Sequence, residues 1–446
     1  MPDFAKKHRH PAAILSLLVL ILPLSRARGL PAFARQTGLE CADCHTAFPE
    51  LTPVGRRFKL NGYTQVGADE ISFPDHLAAM VEGTYTHTEA GQPGGAAPHF
   101  GPNNNLVLQQ TSLFYGGKLA DNLGAFVQTT YDDVSKRFGW DNTDIRYADR
   151  GSLFGYGLVW GISANNNPTV QDVWNSTPAW RFPYISSELA PTPGAATLIE
   201  GGLGQQVAGI SLYGFLDDWI YAEFGFYHDL SKRTLTTLGV DTTGVNGIDG
   251  AAPYWRVALE PHWGKHWLEL GTFGLAADVV PARVAGFGTD SITDTGVDFE
   301  YQYMGDPGIV SARASWIRET RDLGASFAQG LADNRHGSLE SFNASATYTW
   351  KQMITGTVGR FQTNGNSDLT LNGTPTGSPN SDGWTFEIAY LPFMHGGPSF
   401  WPWLNARIGI QYTIYDKFNG SRFNIDGNGR FASDNNTLFT YIWIAF

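Results

Sequence analysis

The strongest constraint in this chain is a period-two alternation of apolar and polar residues that recurs from Leu77 to the C-terminus. Phe342, Ala344, Ala346, Tyr348 and Trp350 alternate with Ser341, Asn343, Ser345, Thr347 and Thr349. Leu404, Ala406, Ile408, Ile410, Tyr412 and Ile414 alternate with Asn405, Arg407, Gly409, Gln411 and Thr413, and Trp255, Val257 and Leu259 with Arg256 and Glu260. Successive side chains of a strand point to opposite faces, so each stretch has one apolar and one polar face. A soluble sandwich alternates too. A membrane-spanning barrel sustains the pattern over many strands of about ten residues, with aromatic residues at the strand ends. Composition agrees: charged residues are 16% of the chain, against about 25% in soluble domains. A mean hydropathy of −0.20 and the lack of an apolar run of about 20 residues exclude a helical membrane bundle.

The pattern predicts an all-β membrane protein of sixteen strands, near residues 77–87, 106–117, 123–132, 141–149, 157–164, 205–216, 219–230, 253–263, 266–279, 293–304, 309–320, 340–350, 353–363, 384–392, 402–416 and 437–446. Connections after even strands are short, as at Asp217-Asp218 and Gly305-Asp306-Pro307-Gly308; those after odd strands are mostly longer. Short turns belong on the periplasmic side of an outer-membrane barrel, which places both termini there. The connection around Met394 to Trp401 is a long exception. The chain closes on a strand ending in Phe446, like the terminal signal of outer-membrane barrels. Residues 165–204 lack strand pattern. Their Trp174, Trp180 and Tyr184 favour an ordered loop folded into the lumen. No P-loop, nucleophile elbow or H-E-x-x-H occurs, and Asp132-Asp133 and Asp217-Asp218 read as turn residues.

Residues 1–29 read as a signal peptide: a basic start at Lys6, Lys7 and Arg9, an apolar stretch from Ala12 to Leu24, and a small-x-small site at Ala27-Arg28-Gly29. Their removal takes away five basic residues and one acid, so the net charge of −12 becomes −16. A chain this acidic is a poor nucleic-acid binder.

Both cysteines fall in Cys41-Ala42-Asp43-Cys44-His45, the C-x-x-C-H attachment signature of a c-type haem. Cysteines at i and i+3 share a helix face and can form thioethers to the two vinyl groups of one porphyrin. His45, next in line, then reaches the iron from the proximal side. A redox disulfide would want a thioredoxin-like context, and a structural zinc site four close ligands; neither is visible. Phe33, Leu39, Phe48, Phe58 and Tyr63 read as the lining of an apolar haem pocket or as a miniature core. Thr52-Pro53 and Asn61-Gly62 bracket a short helix. On it, Arg56, Arg57 and Lys59 read either as partners of haem propionates or as a solvated basic face. A unit of residues 30–75 is small for independent folding, and residues 76–446 form the barrel.

For a sixth iron ligand, position favours His76, Met80, His87 and His99. Met80 shares parity with Glu82, Thr84 and Thr86 and faces the lumen, whereas His87 shares parity with Val81, Gly83 and Tyr85 and faces lipid. Met80 is therefore the distal candidate, or else a lumen-filling side chain.

Phe33-Ala34-Arg35-Gln36-Thr37, Cys41-x-x-Cys44-His45, Pro49, Leu51, Gly55-Arg56, Phe58-Lys59 and Gly62-Tyr63 together resemble the N-terminus of the fused cytochrome–porins. These are monohaem outer-membrane cytochromes associated with bacterial iron oxidation. The resemblance implies that Cys41 and Cys44 carry one covalent haem c and that His45 is its proximal ligand. It also implies a small α-helical cytochrome c unit that plugs the barrel, in the lumen or at its periplasmic side. The function implied is electron transfer across the outer membrane between an extracellular reductant, such as Fe(II), and a periplasmic carrier such as a soluble cytochrome. Outer-membrane lipid would be the other partner. Two readings compete: a diffusion porin or channel whose haem domain is a plug or sensor, and a periplasm-facing cytochrome that uses the barrel as an anchor.

Overall fold

The computed structural model describes residues 31–67, 71–398, 401 and 403–446; the signal peptide expected at 1–29 lies outside the described residues. Sixteen strands carry the fold. They are β1 (Leu77–Thr88), β2 (Asn105–Ala120), β3 (Leu123–Asp132), β4 (Arg137–Leu153), β5 (Tyr156–Asn165), β6 (Val207–Leu216), β7 (Ile220–Asp229), β8 (Ala252–Leu259), β9 (His266–Val280), β10 (Asp290–Met304), β11 (Gly308–Asp322), β12 (His336–Trp350), β13 (Ile354–Gly365), β14 (Ser381–Tyr390), β15 (Asn405–Lys417) and β16 (Thr437–Ala445). Gly247–Asp249 and His262–Trp263 extend β8 along the same neighbour, β9. Each strand pairs antiparallel with its sequence neighbours, and β16 pairs with β1, so the sheet closes. Ala79 and Phe446 exchange both backbone hydrogen bonds, at 2.8 and 2.9 Å, which fastens the chain's last residue into the seam.

The expected alternation sets the faces. Val257, Leu259, Leu270, Val297, Tyr348, Ile408 and Ile410 are exposed on the outside, whereas Arg256, Glu260, Thr347, Arg407 and Gln411 are buried inside. β16 has nine residues and rises about 30 Å along its own axis. A tilt of about 40° leaves about 23 Å along the barrel axis, close to the apolar band of about 25 Å that a membrane barrel presents. Some strands run further than the alternation shows: β10 begins at Asp290 rather than 293, β11 reaches Asp322, and β12 begins at His336 rather than 340. The added residues are mostly polar on both faces, because they rise beyond the apolar band.

Short turns join β2–β3, β4–β5, β6–β7, β10–β11 and β12–β13 at one end. Asp217 and Asp218 both have positive φ (53° and 57°), and the Trp219 N–H donates to the Leu216 carbonyl at 3.0 Å, a primed turn whose twist matches its strands. The long exception after β14 has a local cause. Leu391 and Met394 are fully buried against Cys41, Ala47 and Ala389, so this connection packs on the C-x-x-C-H segment rather than simply turning the chain.

The lumen is filled by two segments. Residues 31–67 touch strands around the ring: Gln36 bonds β2, Tyr63 bonds β4, Arg56 bonds β10, and Glu50 bonds β11. Contacts on all these strands put the segment inside the barrel. The loop 166–206 folds inward beside it. Trp174 is buried and donates from its indole nitrogen to Glu260, and Trp180 donates to the Val170 carbonyl at 2.6 Å.

Candidate functional site

The C-x-x-C-H residues begin a tight local fold. Cys41–Cys44 is a single helical turn, and the Glu40 backbone N–H donates to Asp43 Oδ2 at 2.7 Å to close its start. His45–Ala47 then pairs with Glu50–Leu51 in a small antiparallel hairpin. Thr52 caps the following helix, Pro53–Leu60, by accepting from the Gly55 backbone N–H, as the Thr-Pro pair predicts. A Cβ at position 55 would stand 2.2 Å from the Cys44 carbonyl oxygen. Only glycine lets this helix approach the Cys41–Cys44 turn so closely.

The hairpin sets the state of His45. Its Nδ1 lies 3.2 Å from the Glu50 carbonyl oxygen. That carbonyl can only accept, so Nδ1 carries the proton and Nε2 keeps its lone pair. Burial pulls the ring's pKa down to about 4, so the imidazole is neutral at ordinary pH. Burial pushes both thiols up, Cys44 to about 12, and keeps them protonated. A neutral imidazole with one nitrogen fixed by a carbonyl is the arrangement of a metal-ligating histidine.

Cys44 and His45 line a cavity of about 430 Å³ between residues 31–67, the inner wall and the 166–206 loop. The volume is in the range of cofactor sites. Phe33, Leu39, Phe48, Phe58 and Tyr63, the five residues read from the sequence as pocket or miniature core, all line it. Phe33 stacks on Tyr63 with ring centroids 5.5 Å apart, and Phe48 packs on Trp443 at 4.4 Å. Cys41 is not part of the lining. It lies one layer back, fully buried, its Sγ accepting from Asn405 Nδ2 at 3.3 Å.

The remaining sequence candidates divide. Met80 is buried and lines the same cavity as His45. His76 stacks on Tyr115, at 5.1 Å, away from the cavity, and His87 bonds Asn104 on the outer side. Lys59 lines the cavity; its Nζ donates to the Val170 and Asp172 carbonyls, each at 2.7 Å, and burial brings its pKa down to about 7. Arg56 does not line it. Its guanidinium bonds Glu260 (3.4 Å), Glu300 (3.2 Å) and Gln302 (2.8 Å) on the wall. Arg57 is exposed and pairs with Asp218 in the β6–β7 turn.

Several residues that shape the site lie far from the motif in sequence. Gln352, in the β12–β13 turn, donates to the carbonyls of Ala42 (2.7 Å) and His45 (2.8 Å). Phe114, Phe126, Trp180 and Trp443 complete the apolar lining. A signal existed for Trp443. On β16, Phe439, Tyr441 and Trp443 are buried on the inner face while Ile442 is exposed on the outer one. A strand apolar on both faces must meet something apolar inside. Gln352 carries no comparable signal.

Fold and site define a class: a sixteen-stranded membrane barrel whose lumen holds an ordered segment around a cavity at a C-x-x-C-H motif. Among solved structures the chain is similar to the outer membrane channel DcaP of Acinetobacter baumannii, at 12% identity and a TM-score of 0.46, covering 83% of this chain and 96% of that one. It is similar also to an anion-selective porin from Comamonas acidovorans, at 12% identity and a TM-score of 0.43, covering 83% and 97%. OmpT, an outer membrane protein of Vibrio cholerae, stands at 7% identity and a TM-score of 0.44, covering 83% and 96%. No protein-family model matches the chain, and no curated protein does.

Proposed function

We propose that this protein is an outer-membrane barrel that carries one covalent haem c and passes electrons between an extracellular donor, with Fe(II) as the candidate, and a periplasmic carrier. The observation that carries this reading is the position of His45. It lies beside Cys44 on an aromatic-lined cavity, with Nδ1 held by the Glu50 carbonyl, which leaves the lone pair on Nε2. When bound, the haem supplies a one-electron couple within an otherwise insulating apolar band. The chain's own residues hold and tune it. Cys41 and Cys44 are the attachment points, and His45 offers a neutral nitrogen whose basicity the Glu50 carbonyl raises. Phe33, Phe48, Phe58 and Trp443 give the cavity an apolar part, which lowers the local dielectric there. Lys59 and Arg181, on the cavity wall, are the basic groups available to a propionate; Arg56 is already committed to Glu260 and Glu300.

The barrel architecture favours a second reading, a diffusion channel in which residues 31–67 act as a haem-bearing plug or sensor. Purified protein in proteoliposomes separates the two. Stopped-flow mixing with ferrous iron outside reduces the haem if electrons pass; ion conductance without haem reduction supports the channel.

A further inference from the structure

Most buried carboxylates of this lumen sit on arginines: Glu300 on Arg56 and Arg313 (3.2 and 2.6 Å), Asp144 on Arg146 (2.7 Å), and Glu387 on Arg407 (2.5 Å). Glu82 departs from this rule. It is 4% exposed and lines the cavity, yet among the described residues no hydrogen bond or ion pair reaches its carboxylate. The charged groups that act on it are two more acids, Glu188 and Asp141. A buried carboxylate with no cation is costly and either keeps its proton or holds a positive ion.

The local backbone is built around this position. Glu82 on β1 pairs with Gln110 on β2, and the register breaks immediately after, with Gly83 opposite Leu108. The extra residue is Gln109, so Gln109 and Gln110 oppose a single residue. Such bulges re-aim side chains. Gln109 is buried and bonds the inner loop at Ser186 and Glu188. Gln110 lines the cavity and donates to Glu188 at 3.1 Å. Asp141, on β4, lines it too and is held by Thr130 at 2.7 Å. Glu82, Gln110 and Asp141 thus put oxygen donors with an excess of negative charge on the wall of the cavity that His45 also lines.

We propose that Glu82, with Gln110 and Asp141, forms a binding site for a hydrated divalent cation inside this cavity, with the exposed Glu188 adding negative charge behind Gln110. Oxygen donors without sulfur or imidazole suit hard ions of the magnesium, calcium or manganese kind. Among the described residues no three His, Cys, Asp or Glu side chains converge as direct ligands. The ion would therefore keep several of its waters and be held by one or two carboxylates, as magnesium-like ions commonly are. The site requires no haem, so it stands or falls independently of the electron-transfer reading.

The probe is manganese(II), titrated into full-length protein in detergent and followed by the loss of its free-ion paramagnetic resonance signal. Wild-type protein takes up one saturable ion. Glu82→Gln and Asp141→Asn each weaken that uptake at least tenfold, while Glu340→Gln, a half-buried position paired with Arg318 and outside the cavity, leaves it unchanged. Heat-modifiable gel migration establishes that each variant is folded, and if Glu82→Gln is not, Asp141→Asn carries the test. Absence of a saturable site in the wild type overturns the proposal. So does undiminished uptake in a folded Glu82→Gln or Asp141→Asn protein.

Discussion

His45 and Met80 come from different parts of the chain, one from the C-x-x-C-H turn and one from the first barrel strand, yet both line one cavity. With haem bound, a methionine opposite His45 would raise the midpoint potential and give a charge-transfer band at the red edge of the visible spectrum of oxidised protein. Met80→Ala then abolishes that band and lowers the potential; if both persist, Met80 only fills space. Arg56 presents a different case. Its side chain is 2% exposed between Glu260 and Glu300. Arg56→Met leaves Glu260 buried without its cation and Glu300 with Arg313 alone, a loss of about 3–5 kcal/mol. The expected readout is a lower urea midpoint together with protease access to residues 31–67. An unchanged midpoint would mean that the wall does not hold the segment through this pair.

At the scale of elements, the alternation made nearly all of the barrel legible. Ser341 through Trp350 and Leu404 through Ile414 show which face is which without any structure, because lipid on one side and a polar lumen on the other impose opposite demands on neighbouring residues. The same parity places Met80, Glu82 and Thr84 inward and His87 outward, as the structure has them. Three things were not legible. Strand ends beyond the apolar band carry no alternation, so β12 starts earlier than its pattern shows. The β14–β15 connection looked anomalous because its role is to cover Cys41. The commitment of Arg56 to Glu260 and Glu300 depends on which wall meets the helix, a long-range fact that local spacing does not encode. Topology is open to test. Epitope tags inserted near Gly94 or Gly377, in connections at the long-loop end, should be labelled on intact cells, and a tag near Asp217 should not. Labelling in the opposite sense would invert the barrel.

For the whole molecule, the arrangement joins an insulating wall to a filled lumen. Residues 31–67 and the 166–206 loop occupy the interior through buried ion pairs and aromatic packing. Among them lies a cavity beside His45. An electron, unlike a solute, does not need an open passage. The account therefore depends first on whether a haem is attached at Cys41 and Cys44. The most direct measurement is haem-dependent peroxidase staining of mature protein on a denaturing gel, beside the Cys41→Ala/Cys44→Ala double variant. The account predicts a stained band at the full-length position that vanishes in the double variant. A wild-type band that does not stain, or equal staining of both proteins, would contradict it.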